Sequence, residues 1–400
     1  MEKIQLPQQV IELMSLLRSH CYESLVAGDA ARELLMGKKP MDYDIITNCE
    51  MERLLVIFDN YRLKDDNADR GELIVMVRGM VIMVSPYRKG FDKNGKPIYT
   101  SLPVNDLARR DFTMNAVGIT VDGELYDPFG GADCLASEPY ILKAVTSHSQ
   151  NSDETEPASS VASSPAVLMN ALALAATGDY VIHRETADEI KAFAHTVTDL
   201  PPKQLRDAFE QILMAKRCGD IMVEYKEVIF AIFPELAQTD EFDQHSENHA
   251  MTLYRHTCKS TFFAPPDLTL RYALFFHGAG KPDCEAIYSD GHASFYGHGE
   301  RAVILAKRAL KRLKAPSEQI EEVLFLIRHH DLAETLKTEE IDRLLEHITP
   351  VELKKLLLEG YANLRAKNPR YEQKAAAMKR LSEQVINWNS PANNKYRTFI

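Results

Sequence analysis

Two aspartates one residue apart, Asp42 and Asp44, stand in the apolar-flanked run Asp42-Tyr43-Asp44-Ile45-Ile46. The run predicts a strand, on which residues i and i+2 face the same side. Both carboxylates then project together, ~7 Å apart along the backbone. Two hard oxygen ligands held in this way suit Mg²⁺, which takes one or two carboxylates together with substrate phosphates. Upstream, Leu25-Val26-Ala27-Gly28 reads as a short strand entering a turn, and Ala30 to Met36 as a helix ending at Gly37. A strand, a Gly turn and a helix N-terminus make a place for phosphate. An Asp-X-Asp by itself is more often a solvated strand end. Its ordered neighbours are what point to a site.

The order of the blocks carries more. From Leu25 to Asp44 the chain reads LVAGDAARELLMGKKPMDYD, and from Asp106 to Ala116 it reads DLARRDFTMNA. Gly123-Glu124-Leu125-Tyr126-Asp127-Pro128-Phe129-Gly130-Gly131 follows. In wording and separation these blocks resemble the active-site signatures of the class II tRNA nucleotidyltransferase (CCA-adding enzyme) and bacterial poly(A) polymerase family. More loosely, Phe233-Pro234-Glu235-Leu236 is similar to that family's body segment. His277 to Pro282 and His329-His330 are similar to its HD-type region.

The resemblance implies a template-independent RNA nucleotidyltransferase that extends the 3′ end of tRNA or a related RNA. Its donor would be an NTP (ATP, with CTP as a further candidate) and its cofactor Mg²⁺. A 3′-hydroxyl attacks the α-phosphate and pyrophosphate leaves. Asp42 and Asp44 would be the catalytic and metal-binding carboxylates. Gly28, Asp29, Arg32, Arg109, Arg110, Asp111 and Asn115 would form the nucleotide site. Arg32, about one turn beyond Gly28, suits triphosphate oxygens. Of Arg109 and Arg110, one could hold phosphate while the other braces the fold, and the resemblance favours Arg110 for phosphate. Asp111 and Asn115, four apart on an expected helix, share a face. They could fix the arginines or the sugar, or act as helix caps.

Three departures qualify that picture. The family's second glycine is Asp29 here, which adds bulk and negative charge where backbone should approach phosphate. Its base-selecting Glu-Asp-x-x-Arg helix corresponds to Ser163-Ser164-Pro165-Ala166-Val167-Leu168-Met169-Asn170-Ala171. The acid pair has become two serines, and Val167 offers no group to read a base edge. In the HD-type region, His277 is followed by Gly278 where an Asp belongs, although eight of the 13 histidines fall between residues 245 and 330. Three other readings therefore stand beside the first: a repurposed nucleotidyltransferase with an altered nucleotide or acceptor, a non-catalytic RNA-binding descendant, and last a metal phosphohydrolase.

The elements that must position these groups follow from pattern. Residues 1–146 read as an α/β head with hairpin signals at Arg78-Gly79 and Asp122-Gly123. Residues 147–165 are Ser-rich and acidic and read as a flexible linker. Beyond them nearly everything repeats near 3.6 residues. We divide this part into a helical neck over 166–245, a degenerate HD-type region over 246–335 and a helical tail over 336–400. The fold class is α+β, a mixed α/β nucleotidyltransferase head followed by an all-helical body.

With 45% hydrophobic and 26% charged residues, the composition is that of a globular protein. The longest apolar runs fall short of a membrane span. The N-terminal stretch lacks a signal or transit composition, so cytoplasm is the expected location. Six cysteines show no CxxC spacing, which argues against a disulfide framework or zinc site. Net charge is −11, yet residues 301–400 hold 19 Lys and Arg against 13 Asp and Glu. Lys307, Arg308, Lys311 and Lys314 gather on one side of an expected helix there. They could follow an RNA backbone, although a solvated face is the commoner meaning of such a cluster.

Overall fold

The computed structural model describes residues 3–61, 71–136, 138–147, 158–245, 251–289, 291–336, 340–386 and 388. The chain forms two compact units, Met1–Leu168 with Asp179–Ile190, and Met169–Gly178 with Lys191–Ile400.

In the first unit the elements run α1 (Gln8–Ser19), β1 (Ser24–Ala27), α2 (Gly28–Leu35), β2 (Tyr43–Thr47), α3 (Met51–Ile57), β3 (Leu73–Val77) and β4 (Met80–Pro86). The small ladder β5 (Arg88–Phe91) and β6 (Pro97–Tyr99) follows, then α4 (Pro103–Leu107), β7 (Gly118–Ile119) and β8 (Leu125–Tyr126). A six-stranded sheet takes the order β3-β4-β2-β1-β7-β8. Only β2 with β4 is parallel; the other neighbours are antiparallel. Both hairpin signals act as turns. Arg78 and Gly79 adopt φ 48° and 80°, and Gly123 adopts φ 78°, the left-handed geometry that tight hairpins need.

Strand alternation sets the two faces of the sheet. Val26, Ile45, Val75, Ile82 and Val84 join Val10, Leu13, Met14 and Leu17 of α1 in one core. Leu25, Ala27 and Ile46 pack in a separate cluster with Tyr87, Leu107 and Ala116. Each fully buried side chain of this kind contributes ~1.5–3 kcal/mol, so the register of β2 is strongly specified. Asp44 shares its face with Ile46 for the same reason.

The segment expected as a linker over 147–165 is shorter than its composition suggested. Thr146–Ser147 pairs antiparallel with Ala158–Ser159, and Ser160–Ser163 forms one helical turn. The physical reason is local: the Ser159 hydroxyl accepts from Ala162 N, and Val161 is fully buried. Residues 148–157 lie outside the described residues.

The second unit is built from helices, among them Pro202–Met214, Leu253–Phe263, Leu268–Phe276, His298–Arg312, Ser317–Thr335, Pro350–Ala366 and Glu372–Val385. Phe209, Phe233, Tyr272, Phe275 and Phe276 interlock as its aromatic centre. Arg271 is buried, and its guanidinium donates to the carbonyls of Leu213, Ala215, Ala264 and Pro265. It ties helix ends together through groups that would otherwise be unpaired. The body is not wholly helical: Ala286–Ile287 and Ala293–Ser294 make a two-stranded ladder. Helices on both sides of residue 335 belong to this one unit. No described helix is long and apolar enough to cross a membrane.

Candidate functional site in the head

Asp42 immediately precedes β2, and Asp44 lies within it. Both line a cavity of about 460 Å³ together with Asp29, Glu33, Tyr43 and Glu72. Its floor is a cross-strand row, because Asp44 is opposite Met83 on β4 and Met83 is opposite Ile74 on β3. Burial raises the Asp44 carboxyl above the usual aspartate range. Arg110 opposes that shift, whereas Asp29, Glu72 and Asp42 add to it. Such a raised carboxyl is one that gains from a cation.

Gly28 is where the backbone and the Arg110 guanidinium come close. Its φ is +67°, a conformation that an L side chain adopts with strain. A Cβ there would lie 2.7 Å from Arg110 Nη1 and 3.5 Å from Asp44 Oδ2. The bare backbone thus lets the Arg110 guanidinium pack against Gly28 beside the Asp44 carboxylate.

The expected nucleotide residues form a chain of contacts. Arg32 Nη1 donates to Asp29 Oδ1 at 2.8 Å and to Asn115 Oδ1 at 2.7 Å. Asn115 Nδ2 donates to Asp111 Oδ1 at 2.8 Å. Asp111 also accepts from Phe112 N. These residues are joined, but not by the helix that their spacing predicts. Phe112 is extended (φ −122°, ψ 151°), and only a 3₁₀ turn spans Thr113–Asn115. A bridge from Phe112 to Ala144 holds the chain open, and the Asp111–Asn115 hydrogen bond replaces helical proximity. The Asp127-Pro128-Phe129-Gly130-Gly131 loop braces this turn. Asp127 accepts from the amides of Gly131 and Ala132, and a Cβ on Gly131 would collide with Thr113 O.

Arg109 and Arg110 point to different places. Both reach the buried Asp106, at 3.6 Å and 3.5 Å. Arg109 also lies over the Phe91 ring at 5.2 Å, and burial lowers its pKa. Arg110 faces Gly28 and Asp44. The sequence reading missed Glu72 in this site. It sits just before β3, lines the cavity and accepts from Arg88 Nη1 at 3.2 Å. Pairing of β3 with β4 and of β4 with β2 brings it there, and nothing in the local sequence announces that order.

Residues 24–139 match the poly A polymerase head domain. A CCA-adding enzyme of Anoxybacillus flavithermus is 26% identical over 242 residues, 58% of this chain and 57% of that protein. One from a Geobacillus species is 30% identical over 135 residues, 32% of this chain and 33% of that protein. Over these residues the head is similar to poly(A) polymerase and CCA-adding enzyme heads. The aligned parts span less than two thirds of those relatives' length. The fold likeness reaches further. The Thermotoga maritima CCA-adding enzyme complexed with tRNA matches over 94% of this chain and 83% of its own, with TM-score 0.57 and 16% identity. The Bacillus stearothermophilus CCA-adding enzyme in complex with CTP matches over 95% and 82%, with TM-score 0.53 and 18% identity.

Other expected residues lie in the second unit. Of the basic group, Lys307 pairs with Glu321 at 3.6 Å and Arg308 with the buried Glu235 at 3.3 Å. Lys311 and Lys314 are exposed and have no ion pair among the described residues. Four histidines, His256, His277, His298 and His330, line one cavity. His329 instead stacks on Phe325, and His249 lies outside the described residues.

Proposed function

We propose that this chain is a template-independent RNA nucleotidyltransferase that extends the 3′ end of tRNA or a related RNA from NTP. The observation that carries this reading is the cavity lined by Asp42 and Asp44, with the Arg110 guanidinium packed on Gly28 beside Asp44. Asp42 and Asp44 are the residues to hold Mg²⁺. The donor set fits that ion: oxygen only, no more than a pair from the strand, and room for phosphate oxygens to complete the shell. What Mg²⁺ supplies there is neutralisation of charge on the triphosphate and polarisation of the reacting phosphorus.

The chain's own residues do the positioning. Gly28 lets backbone approach the triphosphate, as only a residue without Cβ can. Arg110 meets charge that develops on the phosphate oxygens during in-line displacement. Arg32 supplies a second guanidinium, with its orientation fixed by Asn115 and, through it, by Asp111. Arg109 braces Asp106 and Phe91 and supports Arg110 from behind. Lys311 and Lys314 offer backbone phosphate contacts to the RNA.

Two observations favour an altered nucleotide choice within this reading. The Ser163 hydroxyl donates to Ser159 O, and the Ser164 hydroxyl accepts from Val167 N at 3.5 Å. Both serines thus serve their own backbone where the family places acids. The experiment is to incubate the purified protein and Mg²⁺ with tRNA lacking its CCA end, offering each labelled NTP separately. Incorporation of CTP and ATP alone identifies a CCA-type activity. Incorporation of one nucleotide, or of all four, identifies an altered one. No incorporation above the Asp42→Ala level would leave a non-catalytic RNA-binding protein.

A further inference from the structure

A second cavity of the head, about 340 Å³, lies at the other end of β1 from the catalytic carboxylates. Ser24, the first residue of β1, lines it, whereas Gly28 follows the last. Four residues of strand put ~13 Å between those two positions, so the cavity takes no part in the transfer reaction. Its walls come from the end of α1, the start of β1, the connection between β4 and β5, and the β7–β8 hairpin. All of them belong to the first unit. The volume is at the small end of the range for small-molecule sites, which begins at about 300 Å³.

The lining is aromatic. Tyr22, Tyr87 and Tyr126 reach it from three separate segments, with Leu25 as an apolar neighbour. Tyr22 packs on the core cluster that holds α1, and Tyr126 on the cluster that holds Leu25 and Tyr87. Packing on both sides thus fixes the rings. Tyr22 and Tyr126 are each half-buried and keep part of the ring free for a ligand.

The charged groups are few, and they do not cancel. Arg18 Nη1 donates to both oxygens of Asp122, at 3.1 Å and 3.0 Å, which neutralises that pair. Glu23 is left over. Its backbone is pinned, the N–H donating to Asn48 Oδ1 at 2.9 Å and the carbonyl accepting from Thr47 Oγ1. Its exposed carboxylate makes no hydrogen bond or ion pair among the described residues. Tyr87 is 1% exposed, and its hydroxyl is buried with no hydrogen-bond partner among the described residues. A buried phenol without a partner is uncommon. Burial holds its proton on, and the nearby charges of Glu23 and Asp106 act in the same sense. The phenol stays neutral, and Glu23 supplies the uncompensated charge.

This combination selects the ligand class. An anion would meet the Glu23 carboxylate with no free cation to offset it. A primary ammonium brings three N–H donors, more than one free carboxylate satisfies. A quaternary ammonium brings none. It is attracted by the faces of aromatic rings and gains further from a carboxylate nearby. We propose that this cavity binds a small quaternary ammonium ion, with Tyr22, Tyr87 and Tyr126 around the cation and Glu23 as its counter-charge. The competing arrangement needs no ligand: Glu23 swings over and accepts from the Tyr87 hydroxyl.

The test uses the full chain with choline as the probe and 3,3-dimethylbutan-1-ol as its neutral isostere. Saturation-transfer NMR on the methyl protons detects contact, and calorimetric titration gives affinity and stoichiometry. The expected result is saturable binding of one choline per chain, with the isostere ~10-fold weaker or more. Glu23→Gln, an exposed change, should fold normally and weaken choline about fivefold. Tyr126→Leu keeps an apolar side chain and should weaken it at least as much. Circular dichroism checks both variants. Binding should persist in a double Asp42→Asn, Asp44→Asn variant, which excludes collection of the cation by the acidic catalytic cavity. No saturable choline binding, equal binding of the isostere, loss in the Asp42→Asn, Asp44→Asn variant, or binding unchanged in Glu23→Gln and Tyr126→Leu would each overturn the proposal. Absence of binding would leave the Glu23–Tyr87 hydrogen bond as the account of the buried hydroxyl.

Discussion

The head and the body each gather titratable groups around a cavity, and they do so with opposite donor chemistry. The head offers Asp42, Asp44, Asp29 and Glu72, all oxygen and partly open. The body offers the nitrogens of His277, His298 and His330 beside the exposed carboxylate of Asp331, with His277 and His330 deeply buried. Oxygen donors beside a guanidinium and a bare glycine suit a hard cation that arrives with phosphate. The imidazoles are instead held in orientation by the backbone carbonyls that their Nδ1 atoms meet. A cluster of ionisable residues therefore says little until the donor atoms and what orients them are known.

The strongest way to separate the two regions is to remove one. Asp42→Ala should lower nucleotide transfer by on the order of 10³-fold or more, a charge-stabilising contact having been lost from the reacting centre. An Asp42→Ala protein that still transfers at the wild-type rate would dissolve the distinction, and primer-extension rates measure it.

Next in size is Gly28→Ala. The new methyl has to adopt φ near +67° and push Arg110 aside. A misplacement of about 1 Å at a reacting centre costs on the order of 10²-fold. The expected loss is in kcat/KM for NTP, with a modest fall in melting temperature from the strained backbone. Normal kinetics in this variant would mean that phosphate does not pass Gly28.

A subtler experiment concerns the departure at Asp29. Its carboxylate holds Arg32 at 2.8 Å and competes with any triphosphate for that guanidinium. Asp29 is largely exposed, so the ion pair is worth only ~0.2–1 kcal/mol. Asp29→Gly should therefore lower KM for NTP about two- to fivefold, with kcat nearly constant. A raised KM would show instead that Asp29 helps to bind the nucleotide or its cation.

The smallest effect is in pH dependence. Burial raises the Asp44 carboxyl above the ordinary aspartate value of 3.8, so Asp44 keeps its proton to a higher pH than an exposed Asp. A protonated carboxyl ligates Mg²⁺ poorly. The Mg²⁺ requirement should thus rise on acidification earlier than a normal aspartate would dictate. Ionised Asp44 also opposes folding above its own pKa, so Asp44→Asn should melt no lower than wild type at neutral pH. Thermal melts and Mg²⁺ titrations at several pH values check both signs.

Much of the head could be read along the chain because its signals are local. The Asp42–Asp44 spacing, the left-handed turns at Arg78-Gly79 and Gly123, and the strand before Gly28 each depend on a few adjacent residues. The failures were also local in origin. Asp111 and Asn115 were placed on a helix by spacing alone, yet Phe112 is drawn into a bridge with Ala144. Composition made 147–165 a linker, but a serine cap and one buried valine fold its C-terminal end.

What the sequence determined by itself was which groups exist and which strand or turn each belongs to, because periodicity and turn chemistry act over a few residues. Only the tertiary structure decided which distant groups meet. Glu72 reaches Asp44's cavity through the order of three strands, and Arg109 parts from Arg110 because Asp106 and Phe91 lie on one side only. His277, followed by Gly278, lines one cavity with His298 and His330. The reason is that helix packing, not chain proximity, brings side chains 21 to 53 residues apart into one cavity.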